Sequence, residues 1–327
     1  MDTVKINFCG FWGSFKKDNN LFYSILSKHF NVEISDYPDF VFCSNRGKPF
    51  EYMKYDCVRI MFMGENLSPD FTVFDYVIGF DFLDFGDRYF RLPFSFYFDN
   101  AKAWVPDRLS LSEAKKILCE KKFFCNFIYG HPSSNGMRER LFKELNAYKP
   151  VISPGRYLNN RNTSGCSWAE KKEFLAKSKF TIAGDSIEYP GFFTEKIIDP
   201  FIKHSIPIYF GNPLIHKDIS EKSFVWCKST DDKDIQDAIE LVKYLDTHDD
   251  AYLEMLMQSP LCNDDYIIKK YEDLEHFLVN IFSQETKKAY RRIKYYCASL
   301  HESYLRNYMK KNSKERLIDR LKSTIKR

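Results

Sequence analysis

A chain of 327 residues is long enough for two domains of ordinary size. Its 44% hydrophobic and 29% charged residues match a globular composition and exclude a disordered one, and no window approaches the 18 uninterrupted apolar residues of a membrane-spanning helix. The net charge of +4 is unevenly spread: residues 287–327 carry 14 Lys/Arg against 3 Asp/Glu, net +11, which leaves −7 on the rest. Such asymmetry predicts an anionic partner for the tail.

The first stretch alternates strand and helix signals. VKINFCGF (4–11) reads as a strand, NLFYSILSKHF (20–30) has helical spacing, and NVEISDYP, DFVFCSN (39–45), CVRIMFMG (57–64) and FDYVIGFD (74–81) read as strands. The aromatic run RYFRLPFSFYF (88–98) closes this block, and LSEAKKILCEKK (111–122) reads as a helix or a linker. The second block repeats the alternation. FFCNFIYG (123–130), PVISPG (150–155), KFTIAGD (179–185), IPIYFGN (206–212) and FVWC (224–227) are predicted strands. MRERLFKELNAY, WAEKKEFLAKS (168–178), TEKIIDPFIKHS (194–205) and DDKDIQDAIELVKYLDTHD (231–249) are predicted helices. Two runs of βα alternation predict a two-domain α/β chain with parallel sheets and ligands at the carboxyl ends of the strands.

The nine Cys are scattered, odd in number and without a CxxC pair, which fits free thiols in a reducing cytosol better than a disulfide framework or a zinc site. The amino terminus starts as a strand and lacks a signal-peptide pattern, so a cytoplasmic location is expected. No GxGxxG, GxxxxGK[ST] or GxSxG occurs, the seven His show no ligand spacing, and DDKD (231–234) reads as a helix cap. No metal and no redox cofactor are expected.

Candidate binding residues sit where strands give way to helices. Thr194 is placed to cap a helix whose first residues are Glu195 and Lys196. Free N–H groups, the helix dipole and the Lys196 ammonium favour a diphosphate there, and Glu195 can accept bonds from a ribose diol. An ordinary capped helix with a solvated first turn is the alternative. The loop GDSIEYPGFF (184–193) precedes it, a position where binding residues concentrate. Glu65 follows the strand RIMFM and reads as a proton acceptor for a hydroxyl or as a loop cap. Arg138 and Arg140 open another helix after a strand, where an Arg can hold phosphate.

The segment GFFTEKIIDPFIKHSIPIYFGNP (191–213) resembles the α1,3/1,4-fucosyltransferase family, glycosyltransferase family 10, whose pattern runs approximately Y-V-T-E-K, a helix, then I-P-I-Y-x-G-x-P. GENLSPDFTVFDYVIGFDFLDFGDRYFRLP (64–93) is similar to bacterial members, and the likeness covers roughly residues 4 to 260. The resemblance implies a GT-B architecture with two Rossmann-like domains facing across a cleft. The expected bounds are 1–117 for the acceptor side, 118–285 for the donor nucleotide and 286–327 for a basic helical tail. It further implies inverting transfer of L-fucose from GDP-fucose to a GlcNAc-type hydroxyl, α1,3 or α1,4, on a glycan such as a lipopolysaccharide, without a required metal. Glu65 then matches the general base. Arg138 and Lys196 match donor-phosphate residues, Glu195 the ribose acid, and Phe192 stands where relatives have Tyr beside the sugar. AGDS replaces F-E-N-S/T, with Ala183 and Gly184 for Phe and Glu and Asp185 for Asn, and the spacing to Thr-Glu-Lys is one residue longer. These departures bear on the sugar, leaving another nucleotide-activated deoxyhexose or a non-catalytic sugar-binding relative as alternatives.

Leu317, Leu321 and Ile325 fall at i, i+4 and i+8 among Lys and Arg, a basic amphipathic pattern. It predicts contact with an anionic membrane surface on the cytoplasmic face of the inner membrane, suited to a lipid-linked or oligosaccharide acceptor. Packing on the body or on a second copy is the alternative. An acidic body without a nucleic-acid motif speaks against nucleic-acid binding.

Overall fold

A computed structural model describes residues 1–97, 108–263 and 265–325. In chain order the elements are β1 (Thr3–Cys9), α1 (Leu21–Leu26), β2 (Asn31–Ile34), β3 (Phe40–Ser44), β4 (Val58–Phe62), β5 (Tyr76–Gly79), β6 (Tyr89–Arg91), α2 (Leu111–Glu120), β7 (Phe123–Asn126), α3 (Met137–Tyr148) and β8 (Val151–Ile152). Then come α4 (Trp168–Lys177), β9 (Ser178–Ile182), α5 (Glu195–Ile202), β10 (Ile206–Tyr209), β11 (Val225–Trp226), α6 (Asp232–Thr247), α7 (Asp249–Leu256), α8 (Tyr266–Phe282), α9 (Thr286–Ala289) and α10 (Cys297–Ile325). The chain forms two compact units, Met1–Leu92 with Tyr271–Arg327, and Pro93–Lys270.

In the first unit six parallel strands run in the order β2-β1-β3-β4-β5-β6. β3, β4 and β5 are buried along their whole length, as largely apolar sequences require of a sheet covered on both faces, with Arg59 of β4 the buried charge among them. Sequence alternation implies a helix between successive strands, but among the described residues only α1 separates β1 from β2 in that way; a single 3-10 turn, Glu51–Lys54, links β3 to β4. Cover comes instead from far along the chain. Phe282 of α8 packs 4.3 Å from Phe40 and 5.9 Å from Phe42, and Phe277 lies 5.5 Å from Phe90.

The returning chain is tied by a buried ion pair. The Asp75 carboxylate, fully buried, lies 3.1 Å from Arg292 Nε and accepts the backbone N–H of Arg291 and of Arg292, each at 2.8 Å. Arg292 donates further to the carbonyls of Val73 and Cys57, and the buried Arg59 reaches Glu302 at 3.0 Å. The limits of the units therefore differ from the expected 117/118 and 285/286. Residues 271–306 belong with the first sheet. The aromatic run after Leu92 belongs with the second unit, where Ser95 Oγ donates to Phe193 O at 2.9 Å and Phe96 meets Phe193 edge-on.

The second unit holds five parallel strands in the order β11-β10-β9-β7-β8. Its core joins Phe127, Leu141, Phe180, Ile208 and Val225 with Ile235 and Val242 of α6. The segment 111–120, ambiguous in sequence, is the helix α2, fixed by a Ser110–Glu113 capping box. The chain moves outward from β7 to β8 on one side and through β9 to β11 on the other, so the strand order reverses between β7 and β9. Ligands bind at the carboxyl ends of such a switch point.

The tail is helical from Cys297 to Ile325, as its sequence predicts. The side chains from 312 onward, including Leu317, Leu321 and Ile325, lie outside the described residues, so their shared face stays an expectation. Among the described residues no helix is long and apolar enough to cross a membrane.

Arg292→Ala leaves a carboxylate buried without its ion partner and is expected to cost about 3–5 kcal/mol. Chemical denaturation of the variant measures this. A loss below about 1 kcal/mol, the range of an exposed pair, would show that the tie is not structural.

Candidate active site

On the second unit the site grows from the ends of β7 and β9. β9 is a largely buried strand followed by Ala183, Gly184 and Asp185, whose backbone N–H still bonds Phe210 O at 2.8 Å. α3 starts after Gly136, which caps it in the left-handed conformation (φ 72°). This start plants Arg138, 3% exposed, against the β9 loop. Its Nε donates to Gly184 O at 2.9 Å, its Nη2 to Ser186 Oγ at 2.7 Å, and its guanidinium lies 4.3 Å from the Tyr129 ring centre. Tyr129 Oη in turn donates to the carbonyls of Ile182 and Gly184. Among the described residues no carboxylate pairs with Arg138, and its Nη1 makes no hydrogen bond. A buried cation left with open donors suits a phosphate or carboxylate ligand.

Asp185 is 2% exposed, and both its oxygens are taken. Thr194 Oγ1 donates to Oδ1 at 3.0 Å and Tyr209 Oη to Oδ2 at 2.9 Å, while Lys196 Nζ stands 3.7 Å from Oδ1. Burial raises the pKa of the carboxyl, against the lowering effect of Lys196, Tyr209 and Thr194. The expected donor-contact residue thus occupies a supporting position: it holds the cap and the cation. Gly211 (φ 151°) makes room, since a Cβ there would come within 2.8 Å of Asp185 Cβ and 2.9 Å of Tyr209 Oη.

Thr194 caps α5 as expected, its hydroxyl accepting from the N–H of Lys196. Lys196 Nζ donates to the same hydroxyl at 3.0 Å and lies 3.7 Å from Glu195 Oε1. The Lys196 side chain is 26% exposed and that of Glu195 50%, so both are open to a ligand. Phe192 is half-buried and stacks on Phe94. Gly191 (φ 85°) turns the loop, and its N–H donates to Asn212 Oδ1 at 2.7 Å. Asn212 Nδ2 is buried with no hydrogen-bond partner among the described residues. Arg138, Asp185, Glu195 and Lys196 therefore gather on one loop system. Arg140 does not join them; it pairs with Glu144 at 2.9 Å and Asp232 at 2.8 Å. Asp231 of DDKD takes the N-cap position of α6, but its side chain makes no cap bond.

On the first unit Glu65 follows β4, side chain 45% exposed and paired with Arg46. Gly64 has no room for a side chain, because a Cβ would lie 2.2 Å from Arg46 Cγ, and its N–H donates to Asn45 Oδ1 at 2.8 Å. Glu65 is thus an accessible carboxylate with a fixed cationic neighbour. Sequence reasoning missed Arg46, Tyr209 and Asn212. For Tyr209 a signal existed, since a Tyr ending a buried strand needs a partner for its hydroxyl.

Residues 6–98 match the alpha-(1,3)-fucosyltransferase FucT N-terminal domain, and residues 118–258 match the glycosyltransferase family 10 (fucosyltransferase) C-terminal domain. The chain belongs to glycosyltransferase family 10. Alpha-(1,3)-fucosyltransferase FucT of Helicobacter pylori is 35% identical over 298 residues, covering 79% of this chain, which spans 60% of that relative's length. A putative fucosyltransferase of Acanthamoeba polyphaga mimivirus is 30% identical over 183 residues, 53% of this chain and 29% of its own. A crystal structure of an alpha1,3-fucosyltransferase with GDP is 29% identical, with a TM-score of 0.70 over 87% of this chain and 91% of that one. A second, with GDP-fucose, gives a TM-score of 0.67 over 87% and 94%. The fold is the GT-B type expected for this family, two parallel α/β sheets in separate units.

Tyr209→Phe removes the donor to Asp185 Oδ2 and the acceptor of the Asn212 N–H, which sits 2.8 Å from the phenol oxygen. Two buried polar groups lose partners, and a loss of about 1–3 kcal/mol is expected. Thermal unfolding of Tyr209→Phe beside Tyr244→Phe, an exposed control, checks it; equal melting temperatures would refute the role.

Proposed function

We propose that this chain transfers L-fucose from GDP-fucose to a GlcNAc-type hydroxyl of a glycan, with inversion at the sugar carbon. Family membership and the GDP-fucose held by a structural relative support the donor class. The observation that carries the reading is the buried, carboxylate-free Arg138 beside the Thr194-capped start of α5 with Lys196. In the reaction the acceptor oxygen attacks the sugar C1 as its proton passes to Glu65. The bond from C1 to the phosphate oxygen breaks, and GDP leaves with the electron pair. The charge gained by that oxygen is met by Lys196 and by the open guanidinium edge of Arg138, the latter already held in place. Glu195 accepts from the ribose hydroxyls, and Phe192 lines the sugar. Arg46 pairs with Glu65 and orients its carboxylate.

The tail supports a second element of this reading, contact with an anionic membrane that carries the acceptor. Leu300, Tyr304 and Tyr308, at i, i+4 and i+8 on α10, are exposed, and the surrounding segment is strongly basic.

Mass analysis of products from a panel of nucleotide sugars is expected to show deoxyhexose transfer from GDP-fucose, and Glu65→Gln to lower that rate about 10²- to 10⁴-fold with GDP affinity unchanged. No turnover with any donor, alongside intact GDP binding, would sink the enzyme reading; a Glu65→Gln variant with most of its rate would remove Glu65 as base. For the tail, the cut must spare the Arg292 tie. Truncation after Lys311 removes six Lys/Arg and two Asp/Glu. It should weaken co-sedimentation with phosphatidylglycerol vesicles while turnover of soluble acceptor persists. Unaltered vesicle binding would count against the membrane role.

A further inference from the structure

An open groove of about 950 Å³ lies on the first unit, between the loop at Asp70–Thr72, the turn at Phe85–Arg88 and the segment 291–301. No residue assigned above to donor binding or proton transfer lines it. One wall is a pair of rings, Phe71 and Phe85, with centres 4.4 Å apart and the Arg88 guanidinium 5.2 Å from each. The other wall carries Tyr295 and Tyr296, 81% and 80% exposed. Neither ring touches another ring, and neither hydroxyl is bonded, among the described residues. Tyr296 holds a left-handed backbone (φ 45°), uncommon for a bulky side chain and found where the surroundings impose it. At the rim His301 Nε2 lies 3.0 Å from Asp70 Oδ2.

The chemistry of these walls selects the occupant. Both guanidiniums are engaged: Arg88 donates to the carbonyls of Asp75, Phe71 and Phe74, and Arg291 to Asp87, Gln284 and Tyr76. The groove therefore offers aromatic faces, two guanidiniums each tied down at Nε and Nη2, and a polar rim of Asp70 and His301. A second copy is opposed by the net +11 of residues 287–327, which would face its own like charge. A pyranose ring meets every feature: its C–H faces lie on the rings, and its hydroxyls bond Asp70, His301 and the tyrosine tips.

We propose that this groove is a carbohydrate subsite that binds sugar rings of the acceptor glycan remote from the reacting hydroxyl. The inference rests on the transferase reading above for the identity of the glycan as acceptor. The chain itself links the two places: Asp70 and Phe71 stand five and six residues after Glu65.

The test compares the full chain with its Tyr295→Ala/Tyr296→Ala variant, using a GlcNAc-containing disaccharide and a hexasaccharide of the same repeat as acceptors. The variant is expected to raise KM for the hexasaccharide roughly tenfold, the effect of about 1.4 kcal/mol of stacking, with kcat and the disaccharide KM unchanged. Equal effects on both acceptors, or none, would overturn the subsite. Saturation-transfer NMR of the hexasaccharide on Glu65→Gln, with and without the two Tyr, reads the groove without turnover, so failure of the transferase reading is separable. Persistence of the ring-proton signals after the double substitution would again overturn it. A variant that loses phosphatidylglycerol-vesicle binding while keeping its hexasaccharide KM would replace the glycan by a membrane surface.

Discussion

The Asp185 carboxylate sets the geometry on which the second unit's loop system depends. A charge at 2% exposure is tolerated only when its lone pairs are used, and here they organise everything around it. Thr194 and Tyr209 donate to its two oxygens, Lys196 supplies the nearby positive charge, and Gly211 leaves the space in which they meet. Because Thr194 also caps α5, one carboxylate fixes where that helix begins and where its first N–H groups point. Because Tyr209 ends β10 and accepts from the Asn212 N–H, the same carboxylate couples the Gly-Asn-Pro turn to the loop after β9. The loop carrying Phe192 is pinned through Gly191 to the other side of Asn212.

The first unit uses the same physics for a different end. Asp75 is buried with its charge answered by Arg292 and by three backbone N–H groups, those of Arg59, Arg291 and Arg292. The segment after α9 is thereby part of the first sheet's support, although more than 200 residues separate the partners. Its position there is also what creates the aromatic groove, since Tyr295 and Tyr296 follow the anchored Arg291–Arg292 pair after two residues. The segment bounded in the sequence as a separate basic tail, 286–327, is in its first part a structural closure.

How far the sequence revealed this follows from the range of the forces involved. Buried parallel strands such as YVIG and IPIY are short apolar runs, and capped helix starts such as Thr194-Glu195-Lys196 are local patterns; both were legible. The gathering of Arg138, Glu195 and Lys196 was legible as well, because each sits just after a strand and topology brings strand ends together. The unit limits were not, since they depend on Phe277, Phe282 and Arg292 meeting residues far away in the chain. Nor was the supporting role of Asp185. A carboxylate in a loop reads as a ligand contact, and only the reach of Tyr209 from another strand turns it inward. The helix-poor connections of the first sheet escaped for a related reason: its cover is supplied by α8, which no local periodicity between β3 and β6 announces.

The charges at the nucleotide side constrain how an anionic ligand is recognised. Arg138 and Lys196 bring two positive charges, Asp185 and Glu195 two negative ones, and the chain outside the basic tail is net −7. A diphosphate arriving there meets no strong long-range attraction, so steering by the overall field contributes little. Recognition must come from short, directed bonds. Arg138 is suited to that role because its stem is buried, its face lies on Tyr129 and two of its nitrogens are already fixed, so little side-chain entropy remains to be lost on binding. Lys196 is the adaptable partner, a point charge shared between Thr194 and two carboxylates at 3.7 Å, near enough to Asp185 to be held and exposed enough to turn toward phosphate. A fixed planar cation beside a more exposed point charge gives a site that discriminates by geometry first and by charge second.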